Sequence, residues 1–347
     1  MTLLSGPIDF SLPESSIATV PAERRGTGRD DVRLMITDRA ARFIEHDMFP
    51  RIDRHLGTGD VVVVNTSATV PAAVDARTED GIRVKIHFAG PAAGGLWTVE
   101  VRTPTEGGGT TPGPDLSPHT LRMSGGGRFH LLARSPRTPR LWVGAVDTAR
   151  DVLGYLNAHG APIRYTSGPA WPLAAYQTVF ATEAGSAEMP SAARPFTAGL
   201  VTRLVSQGIA VVPIVLHAGV SSFEEGESPG EERYKVPSTA AAVINTMRAS
   251  GGRVIAVGTT AVRALESVTD DNGIVHPGQG VTDVMVTSQS GVRAVDGLLT
   301  GWHEPRSSHL QLLEAFVSRD HLETVYGEAR VEGYLWHEFG DELLILP

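Results

Sequence analysis

The chain has 347 residues, 41% of them hydrophobic and 20% charged, which suits two globular units and excludes wholesale disorder. Thirty Lys and Arg against 39 Asp and Glu leave a net charge of −9, so no global positive field draws the protein onto nucleic acid, while a local basic patch stays compatible with that total. The lack of cysteine removes disulfides, thiolate metal sites, iron–sulfur clusters and a thiol nucleophile together.

Residues 1–18 carry acids and prolines, with neither a basic start nor an apolar run of secretory length. No later stretch approaches the roughly 18 apolar residues of a membrane span, so a cytoplasmic protein without membrane contact is expected. The valine run 61–64 is entered through Gly59-Asp60 and left through Asn65-Thr66-Ser67; it reads as a buried strand whose end opens into a loop. Between residues 81 and 146, short alternating runs such as 83–88 and 97–101 are separated by Gly- and Pro-rich turns, which predicts a small β-barrel or sandwich. Residues 106–118, dense in Gly, Pro and Thr, predict a long, exposed and mobile loop. The glycines 125–127 have no helix after them and no H-E-x-x-H helix occurs, so neither a phosphate-cradling loop nor a metal is expected.

After Asp147 the texture changes to alternating helices (197–207, 238–250, 259–267) and apolar strands (209–216, 253–257), the pattern of an α/β unit with an at least partly parallel sheet. Three segments there carry candidate chemistry. A buried strand ends in Gly258-Thr259-Thr260 at a helix start, where free N–H groups and hydroxyls suit a polar or anionic ligand. The same residues also read as a simple cap, with Arg263 paired to Glu266 on a solvated face. His217 at a strand end reads as an acid–base group or as a structural hydrogen-bonder. The run 300–308 combines Trp302, His303, Glu304 and Arg306; it reads as a pocket wall or as a surface turn before a helix at 310–317.

These segments resemble the queuosine-pathway S-adenosylmethionine:tRNA ribosyltransferase-isomerase family. Residues 251–267 are similar to its GGRVIAVGTTSVRTLES, 215–223 to VTLHVGLGTF, 176–181 to YQTVYA and 295–305 to VDALITNFHLP; 280–283 stand where the family has G-W-T-D, and 59–65 where it has GDLLVLN. The resemblance spans nearly the whole chain. It implies a discontinuous α/β main domain over 1–75 and 148–347 that carries the site, with an inserted small β-barrel-like domain over 76–147. It also implies a reaction in which the ribosyl group of S-adenosylmethionine passes to an amine on a modified tRNA base and is isomerised, with loss of adenine and methionine. Such chemistry requires a base for the carbon beside the sulfonium, departure of adenine, and an unprotonated acceptor amine held close. S-adenosylmethionine would be a substrate, with no metal. On the matching positions, His217 and His303 are expected as catalytic groups, and Thr259, Thr260, Arg263, Asp283, Tyr176, Gln177, Glu232, Tyr234 and Trp302 as substrate-binding ones.

The chain departs from the family at several motifs. NDTRVIPARL is replaced by residues 65–74, which lack one acid and two arginines; in APTAGLHFT the histidine becomes Pro195 and the glycine Ala193; HKMHSEYY keeps only Glu232 and Tyr234; YPGY becomes 287–290; and TNFHLP acquires Gly301 and Glu304. Pro cannot transfer a proton, and lost arginines remove bidentate anion contacts. Two further readings therefore accompany the tRNA one: cleavage of S-adenosylmethionine with a small-molecule acceptor or as a lyase, and binding of S-adenosylmethionine without catalysis. Residues 122–140 contain Arg122, Arg128, Arg134, Arg137 and Arg140 and no acid, which reads as a phosphate-steering patch or as a solvated face.

Overall fold

Successive side chains of a strand point to opposite faces, so a strand apolar at every position needs cover on both. The computed structural model describes residues 7–40, 42–220 and 230–347. It begins with α1 (Ala22–Arg25), β1 (Arg33–Asp38), β2 (Ile44–Met48), β3 (Val61–Asn65) and β4 (Ser67–Thr69). A second group follows: β5 (Ala73–Arg77), β6 (Arg83–Pro91), β7 (Trp97–Pro104), β8 (Thr110–Pro112), β9 (Thr120–Met123), β10 (Arg128–Arg134) and β11 (Leu141–Asp147). The remainder comprises α2 (Val152–His159), β12 (Glu183–Ser186), α3 (Ala198–Ser206), β13 (Ala210–His217), β14 (Glu232–Val236), α4 (Ser238–Ala249), β15 (Val254–Val257), α5 (Thr259–Glu266), β16 (Gly278–Thr282), β17 (Gly297–Gly301), α6 (Ser308–Leu313), α7 (Arg319–Val331) and β18 (Glu342–Leu346).

Among the described residues the main sheet has nine strands in the order β16-β14-β13-β3-β15-β17-β18-β1-β2. Its centre, β13-β3-β15-β17, is parallel, with Val61 opposite both Ala210 and Val254. The valines of β3 divide between two cores. Val61 and Val63 pack with Ile244 of α4, Leu265 of α5 and Leu322 of α7, whereas Val62 and Val64 pack with Leu200 and Leu204 of α3. Helices on both faces thus account for the uninterrupted apolar run.

Strands β5 to β11 form a separate sheet, in which an additional β11–β7 pairing closes six strands into a barrel and leaves β8 attached to the outside of β7. Its core gathers Val74, Ile86, Phe88, Val99, Leu121 and Phe129. The structure is therefore mixed α/β, with a large sheet and a closed barrel.

Two expectations are corrected. Within 106–118 the chain forms β8, where Arg102 donates to the Thr110 carbonyl and hydroxyl, each at 3.2 Å. Gly113 permits this docking, since a Cβ there would stand 2.1 Å from the Val101 carbonyl oxygen. The helix expected at 310–317 runs instead over Ser308–Leu313, after which Ala315 and Phe316 bond back three residues and tighten the chain out of the α ladder. The basic run of the barrel is met by carboxylates from elsewhere: Arg128 by Asp147, Arg134 by Asp115, Arg137 by Asp283 and Glu231, and Arg140 by Glu100.

Candidate active site

Strands β13, β15 and β17 are held in one parallel set by β3, so their carboxyl ends reach the same edge of the sheet. The chain segments that leave them, Ala218-Gly219, Gly258 to Thr260 and Gly301 to His303, surround a cavity of about 660 Å³. Ligand crevices of open α/β sheets lie beyond the carboxyl ends of the strands in this way. The opposite wall comes from the barrel through Arg102 and Arg140, and the sides from the segments 188–192, 284–286 and 337–338.

Gly258 is the residue on which the β15–α5 turn depends. Its φ of +84° lies in the left-handed region that favours glycine, and it occupies the N-cap position of α5. Neither Thr259 nor Thr260 caps the helix with its side chain, and both line the cavity. The Thr260 hydroxyl accepts from Asn65 Nδ2 at 3.3 Å. Asn65, fully buried, also donates to the Leu216 carbonyl at 2.8 Å and accepts from the Leu216 and Ser67 N–H groups at 3.0 Å, clamping β3 to β13 under the threonines. Arg263 does not pair with Glu266. It bonds Glu232 of β14 and donates to the Val284 carbonyl at 3.1 Å, while Glu266 is taken by Arg293.

His303 lines the cavity and stacks on His309 with ring centroids 4.6 Å apart and planes 9° from parallel. Its Nε2 shares a 2.9 Å hydrogen bond with the Thr300 hydroxyl. Burial, and then the neighbouring His309, hold the His303 imidazole well below its usual range; burial and Arg263 push His309 down to about 4. Both rings are thus neutral at physiological pH, and can accept a proton only from a group whose own acidity is high. Trp302 also borders the cavity, but its indole belongs to an aromatic cluster with Tyr326, Tyr334 and Trp336 and its Nε1 has no hydrogen-bond partner among the described residues.

The other expected site residues lie outside the lining. His217 is one residue before the Ala218-Gly219 wall; its Nδ1 shares a 2.7 Å hydrogen bond with Ser67, and burial and Arg233 lower its affinity for a proton. Tyr176 is buried against Phe339, and Gln177 clamps Thr69 through 3.0 and 2.7 Å bonds to its N–H and carbonyl. Tyr234 sits in β14 beside Gly278 and Gly280, and Asp283 is an exposed partner of Arg137. Residues 221–223 and 228–229 of the motifs noted above lie outside the described residues.

Sequence reasoning missed several lining groups. Arg102 and Arg140 share Glu100 at 2.8 and 3.0 Å, and Tyr165 donates to Glu188 at 2.5 Å. His309, His337 and Glu338 line the cavity as well, together with Glu304 and Arg306 of the 300–308 run. The one available signal was a polar His337-Glu338 pair between two aromatic residues, Trp336 and Phe339, both of which prove buried.

Residues 7–345 match the family described as Queuosine biosynthesis protein. A relative from Moorella thermoacetica, named S-adenosylmethionine:tRNA ribosyltransferase-isomerase, is 35% identical over 350 residues, covering 97% of this chain and 98% of its own. One of the same name from Desulfitobacterium hafniense is 35% identical over 353 residues with the same coverage. The crystal structure of an S-adenosylmethionine tRNA ribosyltransferase from Thermotoga maritima superposes with a TM-score of 0.54 at 27% identity, covering 98% of this chain and 99% of the other.

Proposed function

The chain belongs to the queuosine biosynthesis protein family, and from that premise we propose that it is an S-adenosylmethionine:tRNA ribosyltransferase-isomerase, transferring and isomerising the ribosyl group onto an amine of a modified tRNA base. The observation that carries this reading is the Gly258-Thr259-Thr260 turn, which lines a cavity large enough for a nucleoside substrate and is held by Asn65.

In this reading S-adenosylmethionine lies over the carboxyl ends of β13, β15 and β17. Thr259 and Thr260 offer hydroxyls to its polar groups, and the Arg263–Glu232 pair fixes the wall behind them. His303, neutral and backed by Thr300 in the cavity lining, takes the proton from the carbon beside the sulfonium, whose acidity the positive sulfur raises. His217 acts through position, holding Ser67 and the Ala218-Gly219 wall, and Gln177, Tyr176, Tyr234 and Asp283 act through the supporting structure. The main unit over 1–75 and 148–347 supplies the catalytic floor, and the 76–147 unit supplies the facing wall through Arg102 and Arg140. Among the described residues no helix is long and apolar enough to cross a membrane. A tRNA substrate would place the reaction in the cytoplasm.

The test is incubation with S-adenosylmethionine, with and without tRNA bearing an aminomethyl-deazaguanine base, followed by mass spectrometry of adenine and methionine. Release that depends on the tRNA is the expected result. Release without tRNA would replace the reading by a lyase or a small-molecule acceptor, and binding without release would replace it by a binding protein.

A further inference from the structure

Glu338 is a carboxylate of the cavity lining to which the proposed ribosyl transfer has so far given no task. It lies in the loop between α7 and β18, and the loop is pinned on each side of it. Trp336 is 1% exposed and its N–H donates to the Ser16 carbonyl at 2.8 Å; Phe339 is 4% exposed under the Arg194 guanidinium, and its carbonyl accepts from Arg25. Asp341 then closes the loop by accepting from Leu335 N–H at 2.8 Å. His337, at φ +82°, and Glu338 are the two residues this arrangement turns toward the cavity. Among the described residues Glu338 has no hydrogen bond or ion pair, although the pinned loop presents it to the cavity. A carboxylate held in this way needs a cationic or proton-donating partner.

Resting on the assigned ribosyl transfer, we propose that Glu338 binds the protonated acceptor amine and takes its proton, so that the nitrogen can attack. The step is R–NH3⁺ plus Glu338–COO⁻ giving R–NH2 plus Glu338–COOH; one N–H bond breaks, one O–H bond forms, and the electron pair released becomes the nitrogen lone pair. Glu188 and Glu304 act on the neighbouring His337, His303 and His309 are neutral, and the arginines of the lining are met by carboxylates, Arg102 and Arg140 by Glu100, Arg263 by Glu232 and Arg306 by Asp9. The groups facing Glu338 from other elements are Arg194, which is occupied by Glu23 at 2.8 Å and by the Ala175 carbonyl at 2.9 Å, and Tyr176. Burial raises the Glu338 carboxyl to about 7, against which Arg194 pulls down weakly. A base of that strength is better matched to an alkylammonium than an ordinary carboxylate is, and it is about half ionised at neutral pH.

The experiment follows adenine release from the aminomethyl-deazaguanine tRNA at saturating S-adenosylmethionine between pH 5.5 and 9.5, for the wild type, Glu338→Gln and Glu338→Asp, with S-adenosylmethionine affinity measured by titration. The wild type should lose about tenfold in kcat per pH unit below about 7. Glu338→Gln should lose at least ~100-fold at pH 7 and lose the break near 7, its rate instead climbing toward pH 9.5 as the amine deprotonates in solution, with Kd within about threefold of wild type; Glu338→Asp should keep a break on the acid side at reduced rate. A Gln variant within threefold of wild type that keeps the break near 7 overturns the proposal, and so does a wild type with no such break, which decides the matter even if the Gln variant fails to fold. A wild type that releases no adenine from this tRNA overturns the assigned reaction instead, so the two failures are told apart.

Discussion

Arg263 of α5 and Glu232 of β14 form an ion pair in the wall of the cavity, and the second function of Glu232 is to accept from the Gly219 N–H at 2.9 Å. One carboxylate therefore ties the Gly-Thr-Thr helix to the wall that follows His217. Both side chains are largely buried, at 10% and 13% exposure, so removing one leaves the other's charge enclosed. Breaking such pairs costs about 3–5 kcal/mol. Arg263→Ala and Glu232→Ala are each expected to lose about that much in urea unfolding and at least tenfold in S-adenosylmethionine affinity, while the double variant is expected to lose less stability than the sum. Additive losses would show that the two residues act separately.

Asn65 satisfies the Leu216 N–H, the Leu216 carbonyl and the Ser67 N–H and still reaches Thr260. Each buried group left unpaired costs about 1–3 kcal/mol, so Asn65→Ala should destabilise by about 3 kcal/mol or more and weaken S-adenosylmethionine binding through the released threonine. A denaturation midpoint close to wild type would remove the clamp from this account.

His87 sits in β6, fully buried, with both ring nitrogens unpartnered among the described residues; burial, then Arg102, Lys85 and Arg140, push it down to about 3. The folded protein thus refuses a proton that the unfolded chain accepts at about 6.5. Its contribution to stability is unaffected above that pH and falls by about 1.4 kcal/mol per unit as pH drops from 6.5 toward 3. His87→Leu should raise the melting temperature at pH 5 more than at pH 7.5, as read by calorimetry across that range. An equal change at both values would refute the linkage.

Gln177 was expected to touch substrate, and its amide is instead occupied by both backbone groups of Thr69 in β4. Gln177→Ala should therefore cost about 2–4 kcal/mol of stability for the two groups it orphans, with S-adenosylmethionine affinity within about threefold of wild type. A large loss of affinity with intact stability would restore the direct role.

Much of the architecture was legible because it follows from period and punctuation. The valines of β3, the Gly251-Gly252 break before β15 and the Thr197 cap of α3, whose hydroxyl accepts from Leu200 N–H at 3.2 Å, are local signals that packing then reinforced. The strand β8 was hidden because residues 106–118 have loop composition, and their pairing depends on Arg102 and Val101 of a neighbouring strand. The barrel arginines carried no local acid, and their partners Asp283, Glu231 and Glu100 stand at distant or alternating positions that no linear reading joins.

The same division holds for the site. The sequence by itself determined the family, the strand-to-helix turn at Gly258 and the candidacy of Thr259, Thr260 and His303, since backbone conformation and helix starts are written in adjacent residues. Only the tertiary structure decided which polar groups share the cavity. It tied Gln177 to the backbone of Thr69, set the Trp302 indole in an aromatic cluster at the cavity's border, paired Arg263 with Glu232 rather than Glu266, and brought Arg102 and Glu338 from separate parts of the chain to the same space. The reason is physical: hydrogen bonds, ion pairs and desolvation depend on distance through space, which the order of residues leaves open until the sheet and barrel close around them.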